Sequence, residues 1–146
     1  MPPEHDSVRE GTLLGLIVAT GIWLWIAIVD VIAGQPLHTF ALLGGVAGFT
    51  ILHYLLNLAY GVLVVSAIHG AEREPSLVIA VVFGFLVVEF AFAMLTVLLS
   101  NLGLGQLAWV RILGGNLVGV VIALLMLWRG HPLAAELRKA EAEENG

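Results

Sequence analysis

The chain has 146 residues, of which 60% are hydrophobic and 12% are charged, and its mean hydropathy is +1.00. A soluble domain carries about 25% charged residues, so this composition excludes a water-soluble globular protein and indicates an integral membrane protein. The net charge of −5 and the lack of cysteine argue against nucleic-acid binding and exclude disulfide or thiolate chemistry.

Four apolar stretches follow one another along the chain, each matching the roughly 20 residues that a spanning helix requires. They predict helices at about 12–33, 40–69, 76–100 and 106–129, followed by a short cytoplasmic tail at 130–146. The connections are short and rich in turn residues, so consecutive helices should be antiparallel neighbours. The prediction is an all-α integral membrane protein, a single domain formed by an up-down-up-down bundle of four transmembrane helices. The glycine-rich start of the second helix, Ala41–Gly48, leaves open whether that helix is continuous, kinked or partly interfacial.

The positions of Lys and Arg predict the orientation, because cytoplasmic flanks carry the excess of these residues. The two connections at 34–39 and 100–106 contain neither residue type. The flanks that contain them hold Arg9, Arg73, Arg129, Arg138 and Lys139. This bias predicts that both termini are cytoplasmic and that the chain is a multi-pass protein of a bacterial inner membrane.

Small residues recur at four-residue spacing in three of the helices, as they do where membrane helices pack closely. The ridges are Gly11, Gly15 and Ala19 in the first helix, Gly44 and Gly48 in the second, and Gly115, Gly119 and Ala123 in the fourth. They pack either within one bundle or, for at least one ridge and first of all that of the fourth helix, against another subunit.

Glu89 lies near the middle of the third apolar stretch, where an ionised carboxylate costs about 2.5 to 3.5 kcal/mol on insertion scales. His53 in the second helix and Asn116 in the fourth are expected at similar depth. Asn57 and Tyr60 share a helix face with His53. We therefore predict an intramembrane polar cluster of His53, Asn57, Tyr60, Glu89 and Asn116.

Two further polar groups accompany this cluster. Thr96 and Ser100 extend the face of Glu89 along the third helix and form a predicted polar trail. Asp30, near the end of the first helix, and Arg111, near the start of the fourth, should lie at matching depth on neighbouring helices. They are expected either to pair with each other or to snorkel separately to the headgroups.

The polar cluster admits three interpretations. It is a structural lock, a proton or small-ion path that uses Glu89 and His53, or a site where His53 binds haem, a pigment or a quinone. A haem with two histidine ligands within one chain would need a second histidine at the depth of His53, and the sequence offers none. No cofactor and no metal site are therefore predicted.

The sequence contains no catalytic motif and no soluble domain of useful size. The expected function is that of a small membrane protein without its own chemistry. It would serve as an accessory or scaffold subunit of a larger membrane complex, or assemble as a homo-oligomer, so that its partners are lipid, other membrane subunits or copies of itself. The alternatives are the proton or ion channel and the cofactor-binding protein.

Overall fold

The structure is a computed structural model that describes residues 5–74 and 76–130. All the regular elements in these residues are helical: α1 (His5–Ile32), α2 (His38–Leu42), α3 (Gly45–Arg73), α4 (Ser76–Leu99), a first π turn (Ser100–Leu104), a second π turn (Trp109–Leu113) and α5 (Gly114–Gly130). Four helical spans in this part of the chain are long and apolar enough to cross a membrane. The predicted tail, apart from residue 130, lies outside the described residues.

The helix predicted for residues 40–69 divides into two at its glycine-rich start. The short α2 ends at Leu42, and α3 begins at Gly45. Gly44 and Gly45 have φ angles of 104° and 84°, which are left-handed values that residues with a Cβ rarely adopt. The chain therefore turns between α2 and α3, and the two are not one continuous helix.

The helix with the most extensive packing is α1, which contacts both α3 and α5 along its length. Glycine makes the α1–α3 contact possible, because the two backbones touch. A methyl group at Gly61 would lie 2.8 Å from the amide nitrogen of Gly15, and one at Gly15 would lie 2.9 Å from the Cα of Leu58. These separations are too short for any side chain, so the first glycine ridge is used within the chain.

The glycine ridge of the fourth membrane span also packs within the chain. A methyl group at Gly119 would meet the side chain of Ile22 on α1 at 2.7 Å, and Gly115 faces the same side chain. Of the two alternatives for this ridge, the contacts are those of packing within the chain. By contrast, methyl groups at Gly44 and Gly48 would have no neighbour within 4 Å in the described structure.

Helices α4 and α5 are joined through two π turns in place of regular α-helix. Gly103 and Gly105 have φ angles of 132° and 59° and turn the chain between them. Buried apolar side chains hold this region together, namely Leu99, Leu104, Ala108 and Ile112. The second π turn also carries Arg111, whose side chain is buried.

Helix α4 packs mainly against α3 and the two π turns, and among the described residues it comes close to α5 at few points. The buried share of its span, Phe83–Leu104, is 11%, equal to that of the α3 span and lower than the 28% of the α1 span. An open space consequently remains between α4 and α5.

Candidate functional site

The space between α4 and α5 is a cleft of about 300 Å³ that opens at the side of the helix assembly. We call it the α4–α5 cleft. Its lining consists of Phe85, Glu89, Leu113, Asn116, Leu117 and Val120. Only Glu89 and Asn116 are polar, so one carboxyl group and one amide face an otherwise apolar groove.

Glu89 and Asn116 are hydrogen-bonded to each other across this cleft. The amide Nδ2 of Asn116 donates to Oε2 of Glu89 at 2.7 Å. Glu89 lies near the middle of α4 and is half-buried, as is Asn116. The hydrogen bond accounts for one carboxylate oxygen and one of the two amide hydrogens.

His53 does not join this pair in the described structure, because the polar face of α3 is turned towards α1. Its Nε2 lies 2.9 Å from the carbonyl oxygen of Ala19. A carbonyl only accepts, so Nε2 carries the hydrogen and Nδ1 is left as an acceptor in the neutral ring. Asn57 Nδ2 lies 3.3 Å from that Nδ1 and donates to the His53 carbonyl at 2.8 Å. Both ring nitrogens are thus engaged by the protein itself.

The neighbours of His53 also bond to α1. The indole N–H of Trp23 donates to Thr50 Oγ1 at 3.0 Å, and the Thr20 and Tyr54 hydroxyls are 2.8 Å apart. Phe49 stacks on the His53 ring with centroids 5.1 Å apart. Tyr60, expected in the same cluster, is 39% exposed and lies close enough to Glu89 to interact with it electrostatically. The polar layer inferred from depth is therefore two separate groups, one between α1 and α3 and one in the α4–α5 cleft.

The sequence reasoning missed Thr20 and Tyr54. The spacing of Thr20 and Trp23 on α1 was a usable signal, because residues three positions apart share a face of a helix. Tyr54 follows His53 directly and lies beside the face used in the prediction.

Thr96 and Ser100 do not extend polarity away from Glu89. The Thr96 hydroxyl is fully buried and donates to the carbonyl of Phe92 at 2.7 Å. The Ser100 hydroxyl donates to the carbonyl of Val97 at 2.8 Å. Each hydroxyl is therefore satisfied by the backbone of its own helical segment, which is common for Ser and Thr in helices.

Asp30 and Arg111 are brought together as a fully buried pair. Arg111 Nε lies 2.8 Å from Asp30 Oδ1, and the two side chains are 1% and 0% exposed. The Nε–H is not aligned for a hydrogen bond, so the contact is mainly Coulombic. Arg111 Nη2 donates to Gln35 Oε1 at 3.3 Å.

Asp30 also holds the start of α2. The N–H of Thr39 donates to Oδ2 at 2.8 Å, and the Thr39 hydroxyl donates to Oδ1 at 2.7 Å. The residue before α2, Leu37, has a left-handed backbone and offers no capping side chain. Asp30 therefore acts as a capping group from another helix and ties α1, α2 and the second π turn together. We call Asp30, Gln35, Thr39 and Arg111 the Asp30–Arg111 cluster.

A third polar group joins the beginning of α1 to the end of α3. Ser7 Oγ lies 2.6 Å from His69 Nδ1, and Glu10 Oε2 lies 3.8 Å from His69 Nε2. Within residues 5–74 and 76–130, no set of three His, Cys, Asp or Glu side chains is arranged to hold a metal ion.

The regular structure of residues 5–74 and 76–130 is thus all helical, with four helices long and apolar enough to span a membrane and with several polar side chains placed between helices. Comparison with protein families, with curated protein sequences and with solved structures finds no match.

Proposed function

We propose that this chain is a multi-pass protein of a bacterial inner membrane that works by assembly, as an accessory or scaffold subunit or as an oligomer of itself. The α4–α5 face is the proposed assembly surface. The observation that carries the proposal is Glu89, a carboxyl group near the middle of a membrane span that opens onto the α4–α5 cleft. A carboxyl group at this depth is stabilised better by protein groups that form hydrogen bonds with it than by lipid.

Lipid and protein differ in the stabilisation that they can offer to Glu89. An ionised carboxylate at mid-membrane costs about 2.5 to 3.5 kcal/mol, and a hydrogen bond between membrane helices returns about 0.6 kcal/mol on average. The bond from Asn116 therefore offsets only part of the cost of ionised Glu89. Protonation removes most of the charge penalty but leaves a hydroxyl that needs an acceptor, which acyl chains do not supply.

The rest of α4 is compatible with either lipid or protein on its outside. Ile79, Phe83 and Phe90 are exposed at 76%, 67% and 69%. Lipid covers such side chains without difficulty, so apolar exposure alone does not discriminate between the two. The polar pair in the cleft is what favours a protein partner.

The proposed topology follows the distribution of Lys and Arg. The connections at 34–39 and 100–106 lack both residue types, whereas Arg9, Arg73 and Arg129 flank the spans on the other side. We therefore propose that both termini are cytoplasmic and that the four helices run in up-down-up-down order.

The direct test is the mass of the protein purified at native expression in a mild detergent. Native mass spectrometry should give a species heavier than the 15.6 kDa chain, either a multiple of that mass or a complex with another subunit. Replacing Glu89 by Leu should shift the distribution towards the monomer, because it removes the polar contact and keeps the bulk. A stable monomer with no co-purifying subunit would refute the proposal.

The two alternative functions have weaker support from the contacts. For an ion path, the hydroxyls of Thr96 and Ser100 would have to turn away from the backbone carbonyls that they now bond. For a haem, pigment or quinone at His53, one ring nitrogen would have to leave its present partner. The visible absorption spectrum of the purified protein tests the haem and pigment proposals.

A further inference from the structure

We propose that the α4–α5 cleft receives a basic side chain, Lys or Arg, from a transmembrane helix of a different protein, and that this side chain pairs with Glu89 and Asn116 at mid-membrane. This partner is a specific form of the proposed assembly and depends on it.

The polar groups that face the cleft are mainly hydrogen-bond acceptors. Asn116 gives one amide hydrogen to Glu89 Oε2. After that bond, Glu89 Oε1 and Asn116 Oδ1 remain as acceptors without a partner among the described residues, and one amide hydrogen of Asn116 remains as a donor. When Glu89 is ionised, this set also carries a negative charge. A positively charged group with several N–H donors is therefore its chemical complement.

No cation of this chain is available at the depth of Glu89. Of the six Lys and Arg residues, only Arg111 lies inside a span away from its ends, and its buried side chain contacts Asp30 at 2.8 Å. His53 bonds towards α1, and Tyr60, which interacts electrostatically with Glu89, adds no positive charge. A second copy would place another carboxyl group near Glu89 and no cation, and like charges repel. The cleft consequently favours a different protein.

The depth of Glu89 favours a helix over a lipid headgroup. Glu89 lies near the middle of α4. The ammonium groups of lipids lie at the surface of a hydrocarbon core about 30 Å thick, roughly 15 Å from this depth. Only helices and closed barrels satisfy their own backbone inside lipid, so a protein segment that reaches Glu89 beside this helical chain is a transmembrane helix.

The size of the cleft indicates which part of the partner enters it. The cleft holds about 300 Å³ and extends over about one turn of α4, from Phe85 to Glu89, and about two turns of α5, from Leu113 to Val120. A helix is about 10 Å wide, so its backbone lies along the mouth of the cleft and one long side chain enters. The apolar walls suit the methylene stem of Lys or Arg, while the charged end reaches Glu89.

The probe for this site is a synthetic transmembrane peptide of about 20 Leu and Ala residues with one central Lys. The full chain carries a dye at Pro36→Cys, the single thiol in a chain without native cysteine. Energy transfer to the labelled peptide is measured in phosphatidylcholine vesicles. We expect the central-Lys peptide to bind about five- to thirtyfold more tightly than a central-Leu peptide, the range of polar contacts between model membrane helices.

Two variants of the chain test whether Glu89 causes this preference. Glu89→Gln removes the charge and keeps the shape and an acceptor for Asn116, so the preference for Lys should disappear. Ser66→Ala on α3 is the control and should retain it. A full preference for the central-Lys peptide in Glu89→Gln would overturn the pairing.

Cross-linking locates the bound peptide. Leu117→Cys places a thiol at the cleft, and Leu55→Cys on α3 is the control, because it is 59% exposed, compared with 64% for Leu117, and does not line the cleft. The peptide carries a Cys next to its central Lys. After oxidation with copper–phenanthroline, it should form a disulfide with Leu117→Cys and none with Leu55→Cys.

The outcomes separate this inference from the proposed function. Equal binding of the central-Lys and central-Leu peptides would overturn the basic partner and leave assembly to be decided by native mass spectrometry. A stable monomer in that measurement, with no peptide cross-linked to Leu117→Cys, would overturn both proposals. If dodecylamine protects Leu117→Cys from a thiol reagent and the central-Lys peptide does not, the cleft binds a small lipophilic amine, and the helix partner is overturned.

Discussion

At the scale of single residues, the most demanding interaction is the buried contact between Asp30 and Arg111. A buried charge is stabilised only while its oppositely charged partner is present. Removal of one partner typically lowers the free energy of unfolding by about 3–5 kcal/mol. Asp30 is also bonded to Thr39, so loss of its charge weakens the start of α2 as well.

We expect Asp30→Asn and Arg111→Gln to lower the free energy of unfolding strongly when made singly. The double variant should lose clearly less than the sum of the two, because the second change no longer leaves a buried charge alone. Unfolding by SDS in mixed micelles, followed by tryptophan fluorescence, measures all three. Strictly additive losses would show that the two side chains are not energetically coupled.

Thr39 allows the capping contribution to be separated from the ion pair. Thr39→Val removes the hydroxyl that donates to Asp30 and keeps the backbone N–H and the side-chain shape. It should cost about 1–3 kcal/mol, the usual effect of a buried acceptor that loses a donor. Thr39→Ser retains the hydroxyl and serves as the control in the same unfolding assay. An equal loss in both variants would place the effect in packing and not in the hydrogen bond.

The sequence predicted the Asp30–Arg111 cluster only in part. Matching the depths of Asp30 and Arg111 on helices assumed to be neighbours was enough to suggest a pair. Thr39 and Gln35 could not be foreseen, because their positions depend on the turn after α1, where Gly34 and Leu37 have left-handed backbones, and on the separate helix α2. The depth of a residue in the membrane can be predicted from the sequence, whereas the path of the chain between two separate helices cannot.

At the scale of the elements, contact between glycines decides which helices are neighbours. The α1–α3 contact places Gly15 against the backbone of α3, where a Cβ has no room. Gly84 on α4 has no atom within 4 Å of the position that its Cβ would take. The two glycines therefore form a matched pair for experiment.

We expect Gly15→Ala to destabilise the protein by at least about 1–3 kcal/mol, because the backbones must move apart to admit the methyl group. Gly84→Ala should be neutral or stabilising by up to about 1 kcal/mol, since alanine is the better helix former. The same SDS titration compares them. Similar behaviour of both variants would contradict the close α1–α3 contact.

The direction in which each helix presents its polar face was harder to predict than the helices themselves. Depth placed His53 and Glu89 in one layer, but the glycine ridge on α1 brings α3 so close that His53 bonds to Ala19 instead. Small-residue spacing identified residues suited to close packing, yet it could not tell which helix each ridge meets. That choice depends on the shapes of both surfaces, as in the contact of Gly119 with Ile22.

For the whole molecule, the proposed orientation is testable at its connections. Pro36→Cys lies between α1 and α2 and Glu74→Cys between α3 and α4, and both positions are exposed. With both termini cytoplasmic, a thiol reagent that cannot cross membranes should label Pro36→Cys in intact spheroplasts. It should label Glu74→Cys only after permeabilisation. The reverse pattern would invert the proposed topology.

The assembly proposal and the ion-path alternative differ most clearly in vesicles. Within the described residues the polar groups form separate sets: His53 bonds towards α1, Glu89 bonds to Asn116, and Thr96 and Ser100 bond to their own backbone. Conduction of protons needs a connected series of groups that exchange hydrogen bonds from one membrane face to the other. We therefore expect proteoliposomes under an imposed pH gradient to show no proton flux above protein-free vesicles, as reported by an internal pH-sensitive dye. A flux abolished by Glu89→Gln and retained in Thr96→Val would contradict this expectation and assign the α4–α5 cleft to ion movement.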